Sequence, residues 1–158
     1  MNAPPEPSPL SKRRLKMWIR LLRLTRTAEA ELRDFLRREH DTTLPRFDVM
    51  AALYRRREAL TMSELSRLLL VSNGNATAVV DRLERDGLAR RTPSATDRRT
   101  VHVALTEQGM RAFESMAREH EARIDSLFAG LSGEDLDALR DILRRALPED
   151  DDKKARKD

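Results

Sequence analysis

Residues 61–88 read TMSELSRLLLVSNGNATAVVDRLERDGL, and residues 89–109 continue ARRTPSATDRRTVHVALTEQG. Thr61-Met62-Ser63-Glu64 has the Thr-x-x-Glu form of a capping box, in which hydroxyl and carboxylate satisfy the orphan amides of a helix start. Leu65, Leu68 and Leu69 follow at helical spacing until Val71, a β-branched residue, and Ser72, a good N-cap, mark a turn into a second helix. On that helix Ala76, Val79, Val80 and Leu83 fall at i, i+3, i+4 and i+7 and make one apolar stripe, leaving Asn73, Asn75, Thr77, Arg82 and Arg85 to point elsewhere. Asp86-Gly87 stops it with a residue that accepts positive φ. Leu88 to Thr92, a polar turn from Pro93 to Asp97, and the alternation of Val101, Val103 and Leu105 predict two strands with a polar tip. The fold expected from this order is mainly α with a small two-stranded β wing, a winged helix-turn-helix.

Such a unit is suited to double-stranded DNA. Ser72, Asn73, Asn75 and Thr77 stand where the N-terminal part of a recognition helix meets base edges in the major groove. Asparagine pairs bidentately with adenine, a contact that discriminates by about 1–3 kcal/mol. Arg82, Arg85, Arg90 and Arg91 are expected mainly to neutralise phosphates and set the register. The tip, Asp97-Arg98-Arg99, carries guanidinium groups on a hairpin arm of the kind that enters a minor groove. The plain alternatives are a polar turn at 73–75 and an ordinary charged hairpin tip.

Leu60-Thr-Met-Ser-Glu-Leu, Val71-Ser-Asn-Gly-Asn, Val80-Asp-Arg-Leu-Glu-Arg-Asp-Gly-Leu, Asp97-Arg-Arg and Leu105-Thr-Glu-Gln-Gly resemble the MarR family of dimeric bacterial transcription regulators. The resemblance covers roughly residues 10–147. It implies that Asp97 orients Arg99 for the minor groove, with Arg98 left to a phosphate or solvent, and that a small acidic or aromatic effector binds between the dimerisation helices and the winged unit. The runs beginning at Leu15 and Asp41 further resemble a subgroup that senses aromatic acyl-CoA thioesters. On that reading Trp18, Leu22, Arg46, Phe47 and Met50 line the effector site, and Arg20, Arg23 and Arg46 pair with nucleotide phosphates. Core packing explains Trp18, Phe47 and Met50 equally well.

Outward from this segment, residues 1–9 contain four prolines and no periodicity, and read as a disordered lead. Residues 10–38 form an amphipathic helix on Leu15, Trp18, Leu22, Ala28, Leu32 and Phe35. Thr43 and Pro45 open a further helix carrying Phe47, Met50, Ala51 and Tyr54. Thr106 caps a long helix with Met110, Phe113, Ala117, Ile124 and Leu127, and Ser132 starts a last one with Leu136, Leu139, Leu143 and Leu147. The helices over 10–38 and 107–147 flank the winged unit at 44–106. Their leucine faces, Leu15, Ile124, Leu136, Leu139, Leu143 and Leu147 above all, are expected to intertwine in a homodimer. Residues 148–158 read as a disordered charged tail.

The chain has 158 residues, 37% of them charged, yet a net charge of only +4, so basic character matters only where it is concentrated, as it is between Arg82 and Arg99. The absence of cysteine excludes disulfides and thiol-based sensing. No apolar run approaches the roughly 18 residues of a membrane span, so a soluble, cytoplasmic protein is expected. Neither a nucleophile elbow nor a phosphate-cradling glycine loop is present, so we expect no enzyme and no cofactor. His40, His102 and His120 fall on separate elements; His120, between Glu119 and Glu121, is the one point at which a metal-responsive regulator can be imagined, and we assign no metal ligand. The other rival is an architectural protein that binds DNA without sequence preference.

Overall fold

The computed structural model describes residues 8–69, 73–97 and 99–146, with Asn73 and Gly74 in backbone only. Ser72, Arg98 and Leu147, the side chain of Asn73, most of the expected lead and the whole expected tail therefore lie outside the described residues. The chain divides into two compact units, Met1–Glu121 and Ala122–Asp158.

In the first unit, α1 (Pro9–His40) starts inside the segment assigned to the lead, because Ser8 caps it, accepting from the Ser11 N–H at 3.1 Å, and Pro9 sits at a first-turn position that needs no donor. Only Leu32, Phe35 and Leu36 of this helix are buried. The stripe read from Leu15 to Phe35 is thus two surfaces: its C-terminal part is core, while Leu15 and Trp18 are 58% and 59% exposed on a single chain.

Thr43 caps α2 (Leu44–Arg56), which buries Phe47, Val49, Met50 and Leu53. Next come β1 (Leu60–Thr61), α3 (Met62–Leu69), α4 (Asn73–Arg85), β2 (Ala89–Pro93), β3 (Val101–Leu105) and α5 (Glu107–Leu127). The capping box forms as read. Glu64 N–H donates to Thr61 Oγ1 at 3.2 Å and Thr61 N–H donates to Glu64 Oε2 at 2.8 Å, which lowers the Glu64 pKa, the backbone bond contributing most. The wing is larger than the two strands expected. Leu60 and Thr61 pair with Val103 and His102, so the antiparallel sheet has order β1-β3-β2. A two-residue strand overlapping a capping box carries no alternation for sequence to show.

Leu36, Met50, Leu65, Val80, Leu83 and Val103 are at most 0% exposed and join the end of α1, α2, α3, α4 and β3 in one core. Burying such a side chain stabilises by about 1.5–3 kcal/mol before entropy. Ala76, Val80 and Leu83 occupy the inner face as their spacing predicts, whereas Leu68 and Met110 are 41% exposed and Met116 takes the buried place on α5.

The start of α5 is seated on the turn that ends α4. Gly87 takes φ 71°, Thr106 Oγ1 donates to the Gly87 carbonyl at 2.6 Å, and Thr106 N–H donates to the Leu88 carbonyl at 3.1 Å. Gly109 N–H donates back to Thr106 Oγ1 at 3.0 Å. A Cβ on Gly109 would lie 1.9 Å from the Leu88 oxygen, so this close approach requires glycine.

The second unit begins within α5, turns through Phe128–Leu131 and continues as α6 (Gly133–Ala146). Ser132 and Asp135 form its capping box, with Asp135 N–H donating to Ser132 Oγ at 3.2 Å and Ser132 N–H to Asp135 Oδ2 at 2.9 Å. No residue of α6 is buried; Leu136 and Leu143 are exposed and Leu139 half-buried.

Candidate nucleic-acid interface

Helix α4 buries Ala76, Val80 and Leu83 and turns Asn75, Thr77, Arg82 and Arg85 to the surface. Those four expected DNA contacts are all exposed on the second helix of the helix-turn-helix, Asn75 and Arg82 bordering the cleft towards α2 and α3 and Thr77 about 200° round the helix from Asn75, and no acidic residue occupies its first turn. The helix N-terminus, where the macrodipole is positive, favours a phosphate over a carboxylate. Arg85 partly folds back on its own helix, its Nε donating to the Asp81 carbonyl at 3.4 Å.

The tip of the wing is a closed turn. Asp97 Oδ1 accepts from the Arg99 backbone N–H and Oδ2 accepts from the Thr100 hydroxyl, both at 2.9 Å, while Thr100 N–H donates to the Asp97 carbonyl at 3.0 Å. These donors, the Arg99 amide first, hold the Asp97 carboxyl below its ordinary pKa. Asp97 thus holds the backbone amide of Arg99, because aspartate in a turn captures the amide two residues on. The Arg99 side chain is exposed.

Arg91 differs from its expected role as a phosphate contact. Its guanidinium reaches back to α4, with Nη2 2.6 Å from Asp81 Oδ1 and Nη1 2.7 Å from Glu84 Oε2. Its own N–H donates to Glu84 Oε1 at 3.1 Å. Burial works against the charge on Arg91, but the hydrogen bonds to Glu84 and Asp81 outweigh it and raise its pKa above the usual guanidinium value. Arg90, one residue earlier, remains exposed.

Comparison with known proteins agrees with this architecture. The sequence profile of the MarR family matches residues 40–100, from the end of α1 through the wing tip. An HTH-type transcriptional regulator of Bacillus subtilis, YkoM, is 37% identical over 75% of this chain and 75% of its own length. The chain belongs to the MarR family. It is also 28% identical to the B. subtilis HTH-type transcriptional regulator MhqR, over 86% of this chain and 92% of MhqR. A MarR mutant from E. coli, solved in complex with operator DNA, superposes with a TM-score of 0.77 at 25% identity, covering 89% of this chain and all of that one. Among the described residues no helix is long and apolar enough to cross a membrane.

The residues expected to line one effector site in this MarR protein are not brought together by the chain. Phe47 is core, its ring 5.4 Å from Phe113 and stacked 4.4 Å from His120. Met50 is fully buried, while Trp18 stands out in solvent. The reason is that Phe47 and Met50 face the inside of α2, a direction already filled by α5 and the helix-turn-helix. Arg46 is occupied as well, in an ion pair with Asp86 just past the end of α4. Leu22 is half-buried and borders a shallow depression along α1 with Ile19, Arg23 and Arg26. A separate cleft of about 300 Å³ lies between α2, α3 and α4, bounded by Pro45, Asp48, Leu69, Val79 and Arg82.

Glu119, set beside His120 in sequence, is directed instead towards His40, whose Nε2 is 3.4 Å from its Oε2 without a hydrogen bond. Desolvation lowers the pKa of His120, so the stacked ring is held neutral. No three His, Cys, Asp or Glu side chains converge among the described residues. The sequence reading missed the ties of Arg91 and of Arg46. The signal available for the first was the pair Asp81 and Glu84, which share an α4 face at i, i+3.

Proposed function

We propose that this chain is a homodimeric repressor that binds a pseudo-palindromic operator and releases it when a small aromatic effector binds. The observation that carries the reading is the outward set Asn75, Thr77, Arg82 and Arg85 on α4 next to a wing whose tip is preset by Asp97. Asn75 and Thr77 read bases, and Arg99 enters the minor groove. The dimer is supported by the apolar surface that one chain leaves in water: Leu15, Trp18 and Ile19 on α1, and Leu136, Ile142 and Leu143 on α6. Selection from a random DNA pool gives the operator. Fluorescence anisotropy should then show Arg99→Ala losing specific affinity strongly and Asp97→Ala more mildly, with the dimer intact in sedimentation. Parent-like binding by both removes the wing from the interface. An active monomer after Leu139→Asp with Leu143→Asp refutes the dimer.

The effector we infer is an aromatic acid carried as its coenzyme A thioester. Its support is the exposed face of α1, where Trp18 offers a ring and Arg23 and Arg26 offer charge for phosphates, while Phe47 and Met50 are buried. α1 alone walls the depression there, so the proposed site is completed by the second copy. An aromatic acyl-CoA should release the operator and quench Trp18 fluorescence, with the free acid far weaker; equal potency of the two discards the thioester.

A further inference from the structure

The three contacts of Arg91 do two different jobs. β2 is an edge of the sheet, so the outward N–H of Arg91 lacks a strand partner, and Glu84 Oε1 supplies the acceptor at 3.1 Å. The guanidinium then forks, one nitrogen to each of two carboxylates a helical turn apart. A single ion pair restrains a distance. A fork onto two acids, together with the backbone bond, also restrains the angle between strand and helix.

That angle matters because the wing is a lever. β2 runs two residues beyond Arg91, to Pro93, about 7 Å at ~3.3 Å per residue before the tip turns back, so a 10° swing about Arg91 carries the tip through at least roughly 1 Å. Hydrogen bonds tolerate a few tenths of an ångström. We propose that Arg91 is a positioning residue: by locking β2 to Asp81 and Glu84 of α4 it fixes the distance between the major-groove and minor-groove contacts, and thereby which operators fit. The proposal rests on the reading of α4 and the wing as the parts that touch DNA.

Two electrostatic pictures make opposite predictions here. If Arg91 met phosphates, Arg91→Ala would reduce the slope of log affinity against log salt by about one per copy of the chain, on operator and mixed-sequence DNA alike. Glu84→Ala would then tighten binding, since it removes a negative charge facing a polyanion. If Arg91 positions the wing, Glu84→Ala and Arg91→Ala both weaken operator binding about tenfold, leave the salt slope unchanged, and leave the affinity for mixed-sequence DNA unchanged for Arg91→Ala and unchanged or higher for Glu84→Ala. Arg91→Lys keeps the charge but cannot make the fork, so it should bind mixed-sequence DNA as the parent does and still lose operator preference. The experiment is a salt titration by fluorescence anisotropy on full-length dimer with both DNAs, with Arg99→Ala in parallel. Weakening by Arg99→Ala combined with parent-like or tighter operator binding by Glu84→Ala overturns the clamp alone. No weakening by Arg99→Ala overturns the DNA-contact reading beneath it.

Discussion

Gly109→Ala tests whether the seat of α5 on the 87–88 turn holds the winged unit together. Alanine in place of glycine inside a helix ordinarily stabilises, by up to about 1 kcal/mol. Here the new Cβ would sit 1.9 Å from the Leu88 carbonyl oxygen and 2.9 Å from its carbon, and both are backbone that no rotamer change can move aside. Restoring even a 3.0 Å separation shifts one segment by about 1 Å, enough to break the two bonds that cross between them, from Thr106 N–H to Leu88 and from Thr106 Oγ1 to Gly87. At ~1 kcal/mol net apiece, set against the gain in helix propensity, the expected loss is roughly 1 kcal/mol or more. Gly133→Ala is the control, since nothing lies within 4 Å of its added Cβ, and it should be neutral or stabilising. Urea unfolding followed by circular dichroism at one fixed protein concentration measures both, the concentration being held because assembly contributes to apparent stability. A Gly109→Ala variant as stable as the parent would refute the steric account.

Two pH-linked predictions accompany it. Because burial lowers the folded pKa of His120, the unfolded chain takes up that proton first on acidification; stability is full above the ordinary histidine value of 6.5 and falls as pH drops through the lowered folded value. Thermal melts of His120→Gln should show a shallower decline in that window, and an unchanged profile would mean the ring is not held neutral. Asp48 behaves oppositely: desolvation of its carboxyl, and then Glu29, raise its pKa above 3.8, so its favourable contribution is present in acid and lost as pH rises through the folded value. Asp48→Asn should therefore gain on the parent at neutral pH and lose that advantage in acid; a variant less stable at pH 7 would point to an attractive partner for the carboxylate.

The order of elements is legible in the sequence because several helices announce themselves twice, by a cap and by a stripe. Thr61 with Glu64, Ser132 with Asp135, and Thr43 before Pro45 all cap as their types require. Ala76, Val80 and Leu83 are core for the same reason that they recur at helical spacing. What spacing cannot show is where a long flexible cation ends. Arg91 follows a helix and a turn whether it faces a phosphate or two acids seven and ten residues earlier, and Arg46 looks equally available to a ligand and to Asp86. Periodicity also fails where one stripe serves two surfaces: nothing between Leu15 and Phe35 marks the point at which α1 leaves the core, because both surfaces are apolar.

The ties on α4 converge on its C-terminal end, and the helix dipole explains why they hold. Asp81, Glu84 and Asp86 lie towards or just beyond the end where the dipole is negative, and an unpaired carboxylate there is unfavourable by about 0.3–1 kcal/mol. Arg91 from β2 neutralises the first two and Arg46 from α2 the third, while Arg82 and Arg85 stand at the favourable end without needing an acid. Glu84 and Asp86 are thus the groups that oppose the dipole at this end, and docking of the wing and of α2 brings each of them a cation, which couples this end of α4 to the placement of its neighbours. Removing Arg91 should accordingly destabilise the folded chain by about 1 kcal/mol, the upper end for an exposed ion pair, because one guanidinium serves two acids and one of them, Glu84, lies in the last turn of the helix.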